Sequence, residues 1–200
     1  MLKRICAFLL VLFLPITAFA APISVSAQSA IVINSADNSV IYSKNAYSSM
    51  PMASTTKIMT CLLACESTML NDTVVITNEM LAGTEGSLIY LKSGDKITLY
   101  DLAVAAMLAS GNDAANAVAF CLSGSIADFV AFMNKKACSI GMKNTAFVTP
   151  SGLDEKNHHS TAYDMALLAS YAMKNNCFSE ICALKSAQIT INGKKQTVYN

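Results

Sequence analysis

The sequence predicts a mixed α/β chain of the α+β type, with antiparallel strand pairs towards both ends and apolar helices between them. Residues 30–34 and 40–44 are apolar, β-branched runs on either side of a polar turn, which indicates a hairpin. Asn192-Gly193 between two alternating runs indicates a second hairpin over residues 187–199. Residues 100–174 are rich in alanine and other apolar residues at helical spacing. These three observations predict the fold class.

Start and stop signals define the predicted helices. Ser125 with Asp128, and Thr161 with Asp164, have the spacing of a capping box, and Gly141 is a typical helix-ending residue. Further apolar periodicity extends from Ser54 to about Glu66. The predicted helices are 54–66, 100–109, 114–122, 125–140 and 161–174, and weaker strands are predicted at 73–76 and 96–99. We expect the strands to form one sheet.

Residues 1–20 have the pattern of an export signal. Lys3 and Arg4 form a basic start, an apolar run follows, and Ala18-Phe19-Ala20 is a small-x-small cleavage site. The apolar run is short and interrupted by Pro15, which favours cleavage over a membrane-spanning anchor. We therefore expect an exported protein located outside the cytoplasmic membrane, in the cell envelope, although an uncleaved anchor and cleavage after Ala27 remain open.

After such cleavage, residues 21–28 would be a short leader and residues 29–200 the folded domain. Loss of Lys3 and Arg4 leaves 12 basic residues against 13 acidic ones. A nearly neutral chain without a basic patch argues against a nucleic-acid partner and is compatible with a small neutral or zwitterionic substrate.

Cysteine and histidine are the candidate metal ligands, and neither shows ligand spacing. Six of the seven cysteines follow the signal, and most of them lie in apolar helical stretches, where cysteine acts as a small buried hydrophobe. These settings argue against disulfides, and Cys177 with Cys182, five residues apart near a predicted helix end, is the best candidate for a pair. The adjacent His158 and His159 diverge on any regular backbone. We therefore predict no metal site and no cofactor.

The most informative stretch is Met52 to Thr60, because it holds a nucleophile and a base three residues apart. Ser54 and Lys57 would lie on one face of the first turn of a helix. Burial and the positive end of the helix dipole both disfavour an ammonium on Lys57, so the amine can accept the serine proton. Backbone N–H groups at the helix start could hold an oxyanion. The alternative is that Ser54 or a nearby threonine caps the helix and Lys57 is solvated, since a bare S-x-x-K is common.

The residues around this pair resemble the active-site segment of the low-molecular-mass penicillin-binding proteins, the D-alanyl-D-alanine carboxypeptidases. That segment is Ala53-Ser54-Thr55-Thr56-Lys57-Ile58-Met59-Thr60. The resemblance extends from about Ser29 to Thr190. Other stretches similar to the family follow in the same order: Glu85-Gly86-Ser87, Ser110 to Ala115, Phe129 to Asn134, Gly141 to Phe147, Gly152 to Asp154 and His159 to Ala162.

The resemblance implies the transpeptidase fold of penicillin-binding proteins and β-lactamases, an antiparallel sheet flanked by a helical subdomain. It implies Ser54 as nucleophile, Lys57 as base, Ser110 as proton shuttle and Asn112 as a substrate-binding residue. From the residues alone, Ser110 to Asp113 is a turn between two helices in which Asn112 or Asp113 caps the second. Gly111 at the middle position is similar to the carboxypeptidases, whereas class A β-lactamases usually carry aspartate there.

The implied partners are a peptidoglycan stem peptide ending in D-Ala-D-Ala and β-lactam antibiotics, which mimic it. Penicillins are expected to acylate Ser54. Because Lys57 supplies the base, the resemblance assigns no chemistry to His158 and His159, which we expect on the loop surface. Glu85-Gly86-Ser87 is likewise expected to be a loop without chemistry.

The sequence departs from the family at the third motif, the K-T-G strand. Lys194-Lys195-Gln196-Thr197 does not match it. We therefore expect a C-terminally incomplete peptidase domain, with the later sheet strands missing, and membrane-surface attachment only through an anchor beyond this chain. Two alternatives remain: a truncated, non-catalytic fragment that binds wall peptide, and a serine β-lactamase. The second is disfavoured because residues 145–165 lack a Glu-x-x-x-Asn arrangement.

Overall fold

The computed structural model describes residues 24–200, so the export signal predicted for residues 1–20 lies outside the described residues. Helices and short antiparallel strand pairs alternate along the chain, which confirms the α+β class. The strands are β1 (Ala30–Ile33), β2 (Val40–Lys44), β3 (Thr73–Val75), β4 (Lys96–Thr98), β5 (Ser186–Ile191) and β6 (Lys194–Tyr199). The helices are a 3₁₀ turn (Ala53–Thr56), α1 (Lys57–Cys65), α2 (Asn78–Leu81), α3 (Leu99–Leu108), α4 (Asn112–Ser123), α5 (Ile126–Ile140), α6 (Ala162–Ala172) and α7 (Asn176–Ala183).

Both predicted hairpins are present, but they do not share a sheet. β1 pairs with β2, β3 with β4, and β5 with β6, all antiparallel, so the described residues form three separate two-stranded sheets. The expectation of a single sheet is therefore wrong for this part of the chain. The reason is that β1 packs against α6 whereas β5 packs against α3 and β4. No strand of residues 24–200 pairs with both β1 and β5.

Local capping chemistry explains where the helices begin and end. The Ser125 hydroxyl accepts the Asp128 N–H and the Thr161 hydroxyl accepts the Asp164 N–H, as the capping pattern predicts. Gly141 ends α5 in the left-handed conformation. The helices α2 and α7 have no counterpart among the predicted elements because both are short. Their N-cap residues, Thr77 and Asn175, were the available signal.

The core forms where α1, α3 and α4 pack together. Seven of the nine residues of α1 and seven of the ten residues of α3 are buried, which is why both sequences are predominantly apolar. Among the described residues, no single helix is long and apolar enough to cross a bilayer. Of the helices in residues 24–200, only α4 and α5 taken together pass that test, and they meet at a bend of 84°.

The cysteines are placed differently from the sequence-based expectation. Cys177 and Cys182 both lie on α7, and the Cys177 Sγ faces the Cys65 Sγ at 2.8 Å instead. Cys177 and Cys182, the best candidate pair by sequence, therefore do not face each other, because residues five apart on a helix point in different directions. Cys61 is buried as predicted, whereas Cys138 is exposed.

Candidate active site

Ser54 lies in the 3₁₀ turn that leads into α1, with its hydroxyl at the surface. Its Oγ is 3.3 Å from the Lys57 Nζ. No side chain caps the 3₁₀ turn or α1, so the alternative of a helix-capping serine is excluded. The predicted spacing brings the two side chains together, although the first turn is 3₁₀ instead of α-helical.

Lys57 is the first residue of α1 and is only 2% exposed. Its Nζ donates to the Asn112 Oδ1 at 2.6 Å, to the Ser151 carbonyl oxygen at 2.7 Å and to the Ser54 Oγ at 3.3 Å. All three acceptors are uncharged, and Lys57 makes no ion pair within residues 24–200. Burial therefore lowers the pKa of Lys57 to about 8. A substantial neutral fraction is available near physiological pH.

Ser110 lies in the turn between α3 and α4 and contacts Ser54 from the other side. Its Oγ donates to the Ser54 Oγ at 2.9 Å. The Ser110 backbone is left-handed, with φ at +53°, a conformation that costs a non-glycine residue about 1–2 kcal/mol. Such strain persists where the surrounding structure imposes it, and it is concentrated at functional sites. The Ser110 hydroxyl, the Ser54 hydroxyl and the Lys57 amine therefore form a continuous series of hydrogen bonds.

Asn112 is the first residue of α4 and is fixed at both ends of its carboxamide. The Oδ1 accepts from Lys57, and the Nδ2 donates to the Glu85 carbonyl oxygen at 2.6 Å. The Asn112 backbone N–H also donates to the Ser87 carbonyl oxygen. The segment Glu85-Gly86-Ser87, expected to be a plain loop, therefore positions Asn112.

Asp113 has a role that the sequence did not reveal. It does not act as the helix N-cap, a position taken by Gly111. Its buried carboxylate accepts the backbone N–H of Ile89 at 3.1 Å and of Leu91 at 3.0 Å. These bonds hold the loop that supplies the Glu85 carbonyl. An acidic residue directly after the S-x-N triplet was the available sequence signal.

The segment from Thr149 to Ser160 covers Lys57 from the opposite side. A Cβ atom on Gly152, which has φ at +86°, would overlap the Ala53 carbonyl oxygen, so only glycine allows this approach. The neighbouring Ser151 carbonyl accepts from Lys57, and the Pro150 carbonyl accepts from the Thr60 hydroxyl. The segment therefore both buries the lysine and supplies an acceptor for it.

His158 lies inside this segment and not on the loop surface, so the surface prediction is wrong for it. It is 5% exposed. Its Nδ1 accepts the Val148 N–H at 2.9 Å, which requires the proton on Nε2, and Nε2 donates to the Thr56 hydroxyl at 2.8 Å. Burial lowers the pKa of His158. The neutral ring links the segment to the 3₁₀ turn without reaching Ser54.

The arrangement can carry out nucleophilic acyl transfer. An exposed hydroxyl contacts a buried amine of lowered pKa on one side and a second hydroxyl on the other, which gives the nucleophile both a proton acceptor and a proton relay. The described residues contain no cluster of three or more His, Cys, Asp or Glu side chains placed to hold a metal ion.

Comparison with known proteins points to one family. The family model described as D-alanyl-D-alanine carboxypeptidase, peptidase S11, matches residues 16–200. D-alanyl-D-alanine carboxypeptidase DacF of Bacillus subtilis is 42% identical over an alignment of 153 residues that covers 74% of this chain and 39% of that protein. D-alanyl-D-alanine carboxypeptidase DacC of Escherichia coli is 36% identical over 207 residues, covering 96% of this chain and 51% of that protein.

The fold agrees with the sequence match. The crystal structure of a D-alanyl-D-alanine carboxypeptidase from Mycobacterium tuberculosis superposes with a TM-score of 0.85 at 33% identity, covering 92% of this chain and 70% of that one. The chain spans only part of its curated relatives, 39% of the length of DacF and 51% of the length of DacC. By sequence and by fold, the chain belongs to the D-alanyl-D-alanine carboxypeptidase family.

Proposed function

We propose that this chain carries the nucleophilic half of a serine D,D-carboxypeptidase site, which removes the terminal D-alanine from peptidoglycan stem pentapeptides. The observation that carries the proposal is the chain of contacts from Lys57 through Ser54 to Ser110. Family membership supports the substrate class. Penicillins, which mimic the D-Ala-D-Ala end, should acylate the same serine.

The neutral Lys57 amine begins the reaction. It keeps its two N–H bonds to Asn112 and Ser151, and its lone pair accepts the Ser54 proton. The Ser54 Oγ forms a bond to the carbonyl carbon of the D-Ala-D-Ala peptide, and the C–N bond to the terminal residue breaks. The departing amine takes the proton of the Ser110 hydroxyl, and the proton that Lys57 accepted from Ser54 replaces it, so Ser110 acts as a relay. Water then hydrolyses the ester, releasing the shortened peptide and restoring Ser54.

Asn112 positions the substrate in this mechanism. Its Nδ2 has two N–H groups, and one donates to the Glu85 carbonyl. The second is available to a substrate amide carbonyl, and the Lys57 contact fixes its direction. Substrate alignment by a carboxamide that is itself held rigidly lowers the entropy cost of reaching the reactive geometry.

Labelling by a fluorescent penicillin tests the nucleophile. The wild-type chain should become covalently labelled, and Ser54→Ala should not, while circular dichroism shows that both are folded. Ser67→Ala, two residues beyond the C-terminal end of α1, is the matched control and should label normally. Normal labelling of Ser54→Ala would overturn the assignment. A folded wild-type chain that does not label would favour the non-catalytic, wall-peptide-binding alternative.

The same assay tests the base. Lys57→Ala should slow acylation by several powers of ten, because no other basic group contacts Ser54 among the described residues. Lys92→Ala changes an exposed lysine and should label at the wild-type rate. A mild effect of Lys57→Ala would mean that another base operates.

Export to the cell envelope belongs to the same proposal, because peptidoglycan lies outside the cytoplasmic membrane. It is supported by the basic start, apolar run and cleavage pattern of residues 1–20. Expression of the full chain in a bacterial host, followed by N-terminal sequencing of the exported product, should give a chain that begins at Ala21. Retention of the whole protein in the cytoplasm would contradict it.

A further inference from the structure

Four of the described cysteines lie where the C-terminal end of α1 meets α7. They are Cys61, Cys65, Cys177 and Cys182. Ser54 lies beyond the opposite end of α1. Cys65 is the last residue of α1, and Cys177 is the second residue of α7. Their Sγ atoms are 2.8 Å apart, although 112 positions separate the residues along the chain. Cys61, one turn earlier on α1, hydrogen-bonds Cys65.

The Cys65–Cys177 separation is shorter than the usual van der Waals contact between sulfur atoms. A disulfide bond has an S–S length of about 2.0 Å, so a small side-chain rotation of either residue would bring the two atoms to bonding distance. Both side chains are half-buried, and α1 and α7 are packed together. The two helices therefore already have the approach that a disulfide requires.

We propose that Cys65 and Cys177 form a disulfide that joins α1 to α7. The proposal goes beyond the proposed function and rests on it only for export, because an oxidising compartment is where structural disulfides persist. The oxidant is a small-molecule disulfide or a disulfide oxidoreductase. One cysteine thiolate attacks it to form a mixed disulfide, and the second displaces the reduced oxidant, so two protons leave and the oxidant becomes two thiols.

The environment of the pair determines when the bond forms. Burial raises the pKa of Cys177 to about 12, and the hydrogen bond with Cys61, together with burial, raises the pKa of Cys65. Only thiolates exchange with disulfides. Exchange in the folded protein is therefore slow, and the bond forms fastest while α7 is still undocked.

The bond would stabilise the helix that carries the proposed base. α1 begins at Lys57 and ends at Cys65, so a disulfide fixes the end remote from the site. Lys57 is held separately by Asn112 and Ser151. We therefore expect loss of the disulfide to change the thermal stability of the protein. The acylation rate, measured below the melting temperature, should change by less than about twofold, which separates a stabilising role from a catalytic one.

Peptide mapping of the full chain, refolded with glutathione disulfide, tests the pairing. Non-reducing digestion should give a cross-linked peptide that contains Cys65 and Cys177, and the inactive Ser54→Ala variant should give the same one, so the result does not depend on the proposed activity. Recovery of both cysteines as alkylated free thiols would overturn the proposal, as would a Cys177–Cys182 product.

Thermal unfolding gives a second readout. Because the bond closes a long loop, Cys65→Ser and Cys177→Ser should each lower the oxidised protein's Tm by roughly 5–10 °C, and the double variant by no more than either single one. Cys138→Ser removes an exposed thiol from α5 and should leave the Tm unchanged. Equal Tm values for the oxidised wild type and Cys177→Ser would contradict the proposal.

Discussion

Two loops close on Lys57 and Asn112 from opposite sides, and they are held by different forces. The 149–160 loop packs backbone against backbone, with Gly152 on the Ala53 carbonyl. The 83–95 loop is held by the Asp113 carboxylate, which accepts two of its backbone N–H groups. The 149–160 loop therefore depends on the absence of a side chain at Gly152, and the 83–95 loop depends on the hydrogen-bond acceptors of the Asp113 carboxylate. A substitution that adds a Cβ at Gly152 should weaken the first loop, and one that removes an acceptor from Asp113 should weaken the second.

The largest effect is expected from Gly152→Ala in the 149–160 loop. Its control is Gly94→Ala, where φ is also positive at +91° but a Cβ meets nothing within 4 Å. Both variants should lose about 1–2 kcal/mol of unfolding free energy for the left-handed backbone. Gly152→Ala should lose about 1–3 kcal/mol more for the overlap. Denaturant unfolding measures both, and equal losses would mean that the close approach is not needed.

The pH dependence of acylation measures how well both loops exclude water from Lys57. With the pKa of Lys57 lowered to about 8, the second-order rate of penicillin acylation should fall about tenfold per pH unit below that value and level off above it. Gly152→Ala should shift the profile to higher pH by exposing the amine. A profile that is flat between pH 6 and 9 would contradict a buried lysine base.

Stability should follow the same titration. The charged amine is costly to bury, and the folded state loses its proton at a lower pH than the unfolded state. That cost is therefore fully present below about pH 8 and disappears as pH rises towards 10.5. Relative to Lys57→Met, the wild-type chain should gain about 3 kcal/mol across this window. Urea unfolding of both chains at several pH values checks the sign, and a constant difference would contradict it.

A smaller effect is expected from His158, which ties the 149–160 loop to the 3₁₀ turn. His158→Ala removes two buried hydrogen bonds and should lower the unfolding free energy by about 1–3 kcal/mol. The neighbouring His159 is the matched control, because within residues 24–200 its ring hydrogen-bonds only the Asn157 carbonyl, at the surface, and His159→Ala should cost less than about 0.5 kcal/mol. Similar losses in the two variants would rule out the anchoring role.

The His158 contribution also has a predicted pH dependence. Because burial lowers the pKa of His158, the folded state binds its proton less readily than the unfolded state. The stabilisation is therefore present above about pH 6.5 and is lost as pH falls below it. The stability difference between the wild-type chain and His158→Ala should shrink under acid conditions.

The smallest effect is expected from Asp113→Asn, which tests the 83–95 loop. The amide keeps the shape but replaces one acceptor with a donor, leaving a buried backbone N–H unpaired at a cost of about 1–2 kcal/mol. Asp95→Asn, in the same loop but less buried, is the control and should cost less. Asp113→Asn should also weaken penicillin binding more than it slows acylation, because the loop positions Asn112. Unchanged binding would argue against that role.

Side-chain identity and spacing predicted much of the fold and the candidate site. The S-x-x-K pair and the Ser110 to Asn112 turn were found from local pattern together with resemblance, and the capping signals located α5 and α6. Short helices were missed because a single capping residue carries little information. The buried position of His158 was missed because it depends on a contact with Thr56, 102 residues away in the chain.

The sequence by itself determined which residues can carry the chemistry, because nucleophile, base and carboxamide are properties of side chains at fixed local spacing. Only the tertiary structure decided how Lys57 is buried, since burial is the sum of packing by segments that are distant in the chain. The acceptors for Lys57 and Asn112 include the carbonyls of Ser151 and Glu85. Backbone carbonyls are the same in every residue, so no sequence pattern identifies which of them will face an amine.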